Sequence, residues 1–193
     1  MTCEVMKNVE RVQRTRKALL DAARKLFSEK GFGATSTEEI LAAAGVTRGA
    51  LYHHFADKTA LFAEICAELM AEAAQRIEAA TEGVDESLRA LETGFAAWFG
   101  YVLDPGVRTI LLVEAPTVLG FTRWRALDEA HSFQSLRSGV AEALLNGALD
   151  YAGEGDELAA MINGAANDLA LRGTPPARAV AAIRQLIDAF RPR

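Results

Sequence analysis

The chain has 193 residues, half of them hydrophobic and about a quarter charged, an ordinary globular composition with enough material for one sizeable core or two small ones sharing helices. No stretch approaches the roughly 20 apolar residues of a membrane span, and the first ten residues lack the apolar run of a signal peptide, so the cytoplasm is the expected location. The formal charge of −5 speaks against a nucleic-acid partner only until the charges are located: residues 1–60 hold ten Lys or Arg against seven Asp or Glu, net +3, and residues 61–193 hold eleven against nineteen, net −8. A basic end on an acidic body is the asymmetry of a protein that meets phosphate at one end only. Two cysteines, Cys3 and Cys66, make no disulfide framework, and Cys66 falls in an apolar helical pattern that reads as a reduced, buried thiol.

Residues 1–10 show no periodicity and read as a flexible arm. A first helix is predicted from about Val12 to Lys30, with Leu19, Ala22, Ala23, Leu26 and Phe27 on one stripe and Gly31 just past its end. Arg11, Arg14, Arg16 and Lys17 crowd its N-terminal end, where their sign opposes the helix dipole; the placement makes sense if they touch phosphate. Phe32, in the Gly31-Phe32-Gly33 link, is expected to plug the core.

The stretch Ser36–Lys58 reads as two short helices and the start of a third. Ser36 with Glu39 is a capping box, Ile40, Leu41 and Ala44 supply an apolar face, and Gly45 can end the helix in a left-handed conformation. Val46 turns inward and Thr47 caps the second helix. Gly49 and Ala50 keep that helix slim in its first turn, so its backbone can approach another surface closely. Leu51 and Phe55 share a core-facing side, which leaves Arg48, Tyr52, His53 and His54 on the others. Asp57 caps a third helix that opens with Lys58. Helix, glycine turn, helix is the arrangement in which the second helix enters the major groove, with Arg48 able to reach phosphate or guanine.

A long fourth helix is predicted to about Ala80 on the stripe Leu61, Phe62, Ile65, Leu69, Ala73 and Ile77, broken at Gly83. Everything beyond Asp85 is helical, with no period-2 run long enough for a strand. The fifth helix carries Leu88, Leu91, Phe95, Trp98, Phe99 and Val102. Asp104-Pro105 starts the sixth, which Ala115-Pro116 ends or kinks. The seventh lies within Phe121–Leu149, with an irregularity near His131-Ser132. An eighth over Asp156–Leu171 and a ninth over Pro176–Phe190 flank the turn Gly173-Thr174-Pro175. The fold class is therefore all-α, about nine helices: an arm at 1–10, a helix-turn-helix head at 11–57, and a body at 58–193 that the long fourth helix joins to the head.

The string Ala44–Lys58, AGVTRGALYHHFADK, closely resembles the DNA-binding signature of the TetR (tetracycline-repressor-like) family, A-G-V-T-x-G-x-L-Y-x-H-F-x-D-K, and GFGATST resembles the segment that precedes it. Leu41, where a small Ala often follows the Ile, is a departure that touches local packing only. The resemblance implies a ligand-responsive transcriptional regulator, a repressor that holds a palindromic operator in double-stranded DNA as a homodimer and is released by a small, mostly apolar or aromatic effector. It implies a DNA-contacting set of Ser36, Thr37, Thr47, Arg48, Gly49, Tyr52, His53, His54 and Lys58. In that set Tyr52, His53 and Lys58 serve as phosphate contacts and Thr47 and Arg48 as base readers. It implies an effector pocket among the body's aromatics, for which Phe95, Trp98, Tyr101, Trp124 and His131 are chosen, most of them for pairing a flat apolar face with a polar atom. It implies a four-helix dimer interface from the last two helices, with Leu158, Ile162, Ala165, Leu169, Ile183, Leu186, Ile187 and Phe190.

Two readings from other classes compete. For an enzyme, the best candidates are Asp128 with His131, three apart on a helix, and Glu114; no nucleophile with its base, phosphate loop or metal-ligand spacing accompanies them, so no catalytic residue, metal or cofactor is expected. A ligand carrier with a decayed head is opposed by the intact caps and charges of the head.

Overall fold

The computed structural model describes residues 3–192, and these form helices joined by short turns, with no strand among them. The helices are α1 (Cys3–Lys30), α2 (Thr37–Ala44), α3 (Arg48–His54), α4 (Lys58–Thr81), α5 (Ser87–Val102), α6 (Pro105–Arg108), α7 (Ala115–Leu119), α8 (Phe121–Ala130), α9 (Ser132–Leu145), α10 (Gly155–Leu171) and α11 (Pro176–Asp188). A π-helical segment, Thr109–Glu114, fuses α6 and α7 into one rod, so the described residues hold ten separate rods where about nine were expected.

Caps set most boundaries where the sequence places them. Ser36 and Glu39 exchange both bonds of the capping box, and Gly45 ends α2 at φ +65. The Thr47 hydroxyl accepts from the Ala50 amide and the Asp57 carboxylate from the Ala60 amide, which starts α3 and α4. The predicted break in the seventh helix lies at His131, whose φ −129 and ψ −100 separate α8 from α9.

Two expectations need correction. The helix expected from Val12 begins at Cys3, so most of the predicted arm is helical; Met1 and Thr2 lie outside the described residues. Residues 8–14 are all exposed, so this extension shows no apolar stripe from which a pattern could announce it. As a consequence Arg11, Arg14, Arg16 and Lys17 stand two or more turns inside α1, away from the dipole's positive end. The second correction concerns Pro116. It does not end its helix, because the turn before it widens to a π register in which the Ala115 amide reaches back five residues to Ile110 O. A proline cannot bond the carbonyl four residues back and crowds it, and a π turn relieves that crowding. The Trp124 indole N–H, 2.8 Å from Leu111 O, takes up one carbonyl of this segment.

The head closes on Phe27, Phe32 and Phe62, whose ring centroids lie 5.0–5.6 Å apart. Phe32 is the expected plug. The body is built on α4 and α5, which run antiparallel: Gly94 packs at Ile77 and Thr81, while the Tyr101 hydroxyl donates to Glu72 at 2.6 Å. Arg24 of α1 holds the same Glu72 carboxylate, with Nη2 at 2.9 Å from Oε2, so one acid bolts α1, α4 and α5 together. The Arg24 guanidinium, more than the Tyr101 hydroxyl, keeps Glu72 below the usual carboxylate range, and burial beside that charge pushes Tyr101 up. Helix α9 packs on α4 and α5, α11 packs on α5, and α10 closes the core against α9 and α11, with Val140, Leu158, Ile162, Ile183 and Ile187 buried among them.

Candidate nucleic-acid interface and ligand cavity

Helix α3 packs through Leu51 and, at its end, Phe55, and exposes Arg48, Gly49, Tyr52 and His53. At Gly49 an added Cβ would meet no heavy atom within 4 Å, and φ is not positive, so nothing inside the head requires glycine there.

The remaining members of the predicted set are placed as follows. Arg48 forms an ion pair with Glu38 of α2, which ties its guanidinium to the neighbouring helix. The Ser36 hydroxyl is engaged with Glu39, accepting from its amide at 3.2 Å and donating to its carboxylate at 3.0 Å, and Thr37 is half-buried behind it. His54 is half-buried against Phe55; burial first, then His53 and Arg16, push it below the ordinary imidazole value, which favours the neutral ring. Lys58 donates to Phe32 O at 2.9 Å and Thr35 O at 2.8 Å and lies 4.1 Å from the Phe32 ring centroid. Two of its three N–H donors therefore lock the loop between α1 and α2, and one is left over.

That loop is also held by a residue whose part the sequence reading missed. Glu114, at the end of the π segment, accepts the Phe32 amide with both carboxylate oxygens, at 2.7 and 2.8 Å. A Cβ on Gly31 would come within 2.6 Å of Glu114 Oε1, and φ there is +82, so glycine makes room for the acid twice over. Loop, π segment and Lys58 thus form one junction between head and body. No short-range signal marks Glu114, which lies 82 residues from its partner.

Between α4, α5 and the α8–α9 bend the body holds an open cavity of about 650 Å³. Of the aromatics chosen for an effector pocket, Phe95, Trp98 and His131 line it. Tyr101 and Trp124 do not: their polar atoms are engaged with Glu72 and Leu111 O, and both rings serve the frame. The lining also takes Ala71, Ala74, Gln75, Ile77, Glu78 and Thr81 from α4, a stripe at helical spacing. The candidate acid–base pair is not assembled: the Asp128 carboxylate accepts from Ser132 Oγ at 2.7 Å and Asn163 Nδ2 at 2.9 Å, and Glu114 is occupied by Phe32.

The predicted dimer residues divide. Leu158, Ile162, Ile183 and Ile187 are buried in the chain's own core and have no surface to offer a partner; Ala165, Leu169, Leu186 and Phe190 are half-buried. The outward side of α10 instead exposes Met161, Gly164 and Leu171. Cys66 is fully buried, as expected, and burial pushes its thiol up to about 12. Among the described residues no helix is long and apolar enough to cross a membrane.

Comparison with known proteins agrees with this architecture. Residues 19–65 match the family described as "Bacterial regulatory proteins, tetR family", and residues 88–192 match "Tetracyclin repressor-like, C-terminal domain". The HTH-type transcriptional regulator AcrR of Shigella flexneri is 54% identical over 59 residues, 31% of this chain and 27% of that protein. The Transposon Tn10 TetC protein of Escherichia coli is 32% identical over 120 residues, 62% of this chain and 59% of that protein. The match thus spans about a quarter of the first relative's length and three-fifths of the second's. The crystal structure of a TetR-family transcriptional regulator from Pectobacterium atrosepticum superposes with a TM-score of 0.77 at 28% identity, covering 95% of this chain and 97% of that one. With one match over the head and another over more than half of the chain, the protein belongs to the tetracycline-repressor-like family of transcriptional regulators.

Proposed function

We propose that this chain is a cytoplasmic, ligand-responsive repressor that binds a palindromic operator as a homodimer and has no catalytic activity of its own. The exposed α3, with a glycine that nothing within the head demands, is the observation that carries the reading. Thr47 and Arg48 read bases at the start of α3, whereas Tyr52 and His53 contact phosphate, joined by the one N–H of Lys58 that the loop leaves over. One recognition helix covers only a few base pairs, so two heads must be held about one or more helical turns apart, near 34 Å or its multiples.

The partner face is the outward side of α10, with Met161, Gly164 and Leu171, extended by the half-buried Ala165, Leu169, Leu186 and Phe190. Coupling runs along two rods. The first turn of α4 belongs to the head while Ala71–Thr81 wall the cavity, and the α6–α7 rod meets the head through Glu114 and Phe32. An effector shifts the head spacing only by its preference between two body conformations.

Selection of DNA from a random pool by the purified protein, at two salt concentrations, tests the proposal. One palindromic motif with steep salt dependence is the expected outcome. Recovery of non-specific DNA alone would overturn it.

A further inference from the structure

We propose, on the reading that this cavity is the effector site, that the effector is an organic cation: a protonated or quaternary amine carrying an aromatic or branched apolar body. The lining carries two carboxylates, Glu78 and Glu142, among apolar, aromatic and uncharged polar side chains. Helices α4 and α5 are antiparallel, with Gly94 at Ile77 and Thr81 and Tyr101 at Glu72, so Trp98 lies level with the Ala71–Ala74 end of the wall and Leu91 with the Glu78–Thr81 end. Helix α9 also runs antiparallel to α5. A Cβ on Gly139 would stand 2.9 Å from Leu91 Cδ2, and Asn146 Nδ2 donates to Ser87 Oγ at 3.1 Å. Glu142, one turn past Gly139, therefore falls at the same end as Glu78, from the opposite wall.

Phe95, next to Gly94, lies level with Glu78, and Trp98 and Ser132 lie toward the Ala71–Ala74 end. No Lys or Arg is among the lining residues. Of the bases of α8 and α9, Arg137 pairs with Asp156 and Arg125 with Glu129, and Arg123 is not among the lining residues. Behind His131 the Asp128 carboxylate is held by a hydroxyl and an amide, not by a cation. A cleft whose lining holds two carboxylates and no Lys or Arg carries negative potential, attracts a cation and repels a carboxylate ligand. Trp98 and Phe95 then suit the apolar body, with an aromatic face available to the cation's alkyl groups. A bare metal ion is a poorer match, since among the described residues no three His, Cys, Asp or Glu are grouped to hold one.

Three matched probes decide it by calorimetric titration of the intact protein at low and moderate salt: a 4-phenylbutyl trimethylammonium salt, the neutral isostere with carbon in place of the nitrogen, and 5-phenylpentanoate. The expected result is that the ammonium binds at least about tenfold tighter than either other probe, less so as salt rises. The Glu78→Gln/Glu142→Gln double variant should remove that preference and leave the neutral probe's affinity unchanged; both residues are exposed, so the variant keeps the fold. Equal binding of the neutral isostere, or tighter binding of the carboxylate, would overturn the cationic class and leave the cavity as a ligand site. Binding of none of the three would overturn both.

Discussion

At the scale of single residues, the head is held by polar groups whose partners are local enough to be read in a sequence. Ser36 and Glu39 are three apart, and Ser36→Ala should lower stability by about 1 kcal/mol, measured by urea denaturation, without altering the rest of the fold. Glu39 adds a pH signature. Lys30 first, then the Ser36 amide and hydroxyl, depress its carboxyl from 4.5 to about 2. A depressed acid stabilises the fold fully above its unfolded value and loses that contribution as pH falls through the folded one. The stability difference between the wild type and Glu39→Gln should therefore be constant above about pH 4.5 and shrink between 4.5 and 2. A difference that held flat down to pH 2 would show that Lys30 and Ser36 do not hold the charge in solution. Lys58 shows where local reading stops: its position in the signature points to phosphate, and only the folded loop reveals that two of its donors are occupied by the carbonyls of Phe32 and Thr35.

At the scale of elements, boundaries were legible wherever a cap or a left-handed glycine sets them, as at Ser36, Gly45, Asp57 and Gly83, because those devices act over three or four residues. The start of α1 was not, since a helix exposed on all sides leaves no stripe. Nor was the π segment, whose register is set jointly by Pro116 and by Trp124, thirteen residues beyond Leu111. This segment is also where head and body meet, which gives its irregularity a use: the wider turn ends on Glu114, and Glu114 takes the Phe32 amide. Glu114→Ala leaves that part-buried N–H without an acceptor, at a cost of about 1–3 kcal/mol. Amide exchange at Phe32 should accelerate markedly in the variant while exchange in α10 stays as it was. If Phe32 exchanged equally fast in both proteins, the junction would be no latch.

At the scale of the whole molecule, the same apolar residue serves a chain's own core or a partner's surface, and helical periodicity does not tell the two apart. Leu158, Ile162, Ile183 and Ile187 illustrate this: their spacing marks a buried stripe, and the fold spends it inside the subunit. What remains for a second copy is the side of α10 that periodicity assigns to solvent, where Met161 is 47% and Leu171 49% exposed, with Gly164 between them at a point where a Cβ would meet nothing within 4 Å. Large apolar side chains around a glycine on an exposed helix let another helix approach closely, the geometry a two-fold interface needs. The two sets of residues should separate by experiment. Ile162→Ala opens a cavity in the subunit and should cost about 2–5 kcal/mol whatever the protein concentration. Met161→Glu should leave the subunit folded and convert a dimer to a monomer in sedimentation at micromolar concentration, with operator affinity falling because two heads are no longer held together. A Met161→Glu protein that sedimented as a dimer would move the interface off this face of α10, and the spacing of the two heads would then have to be set by another surface.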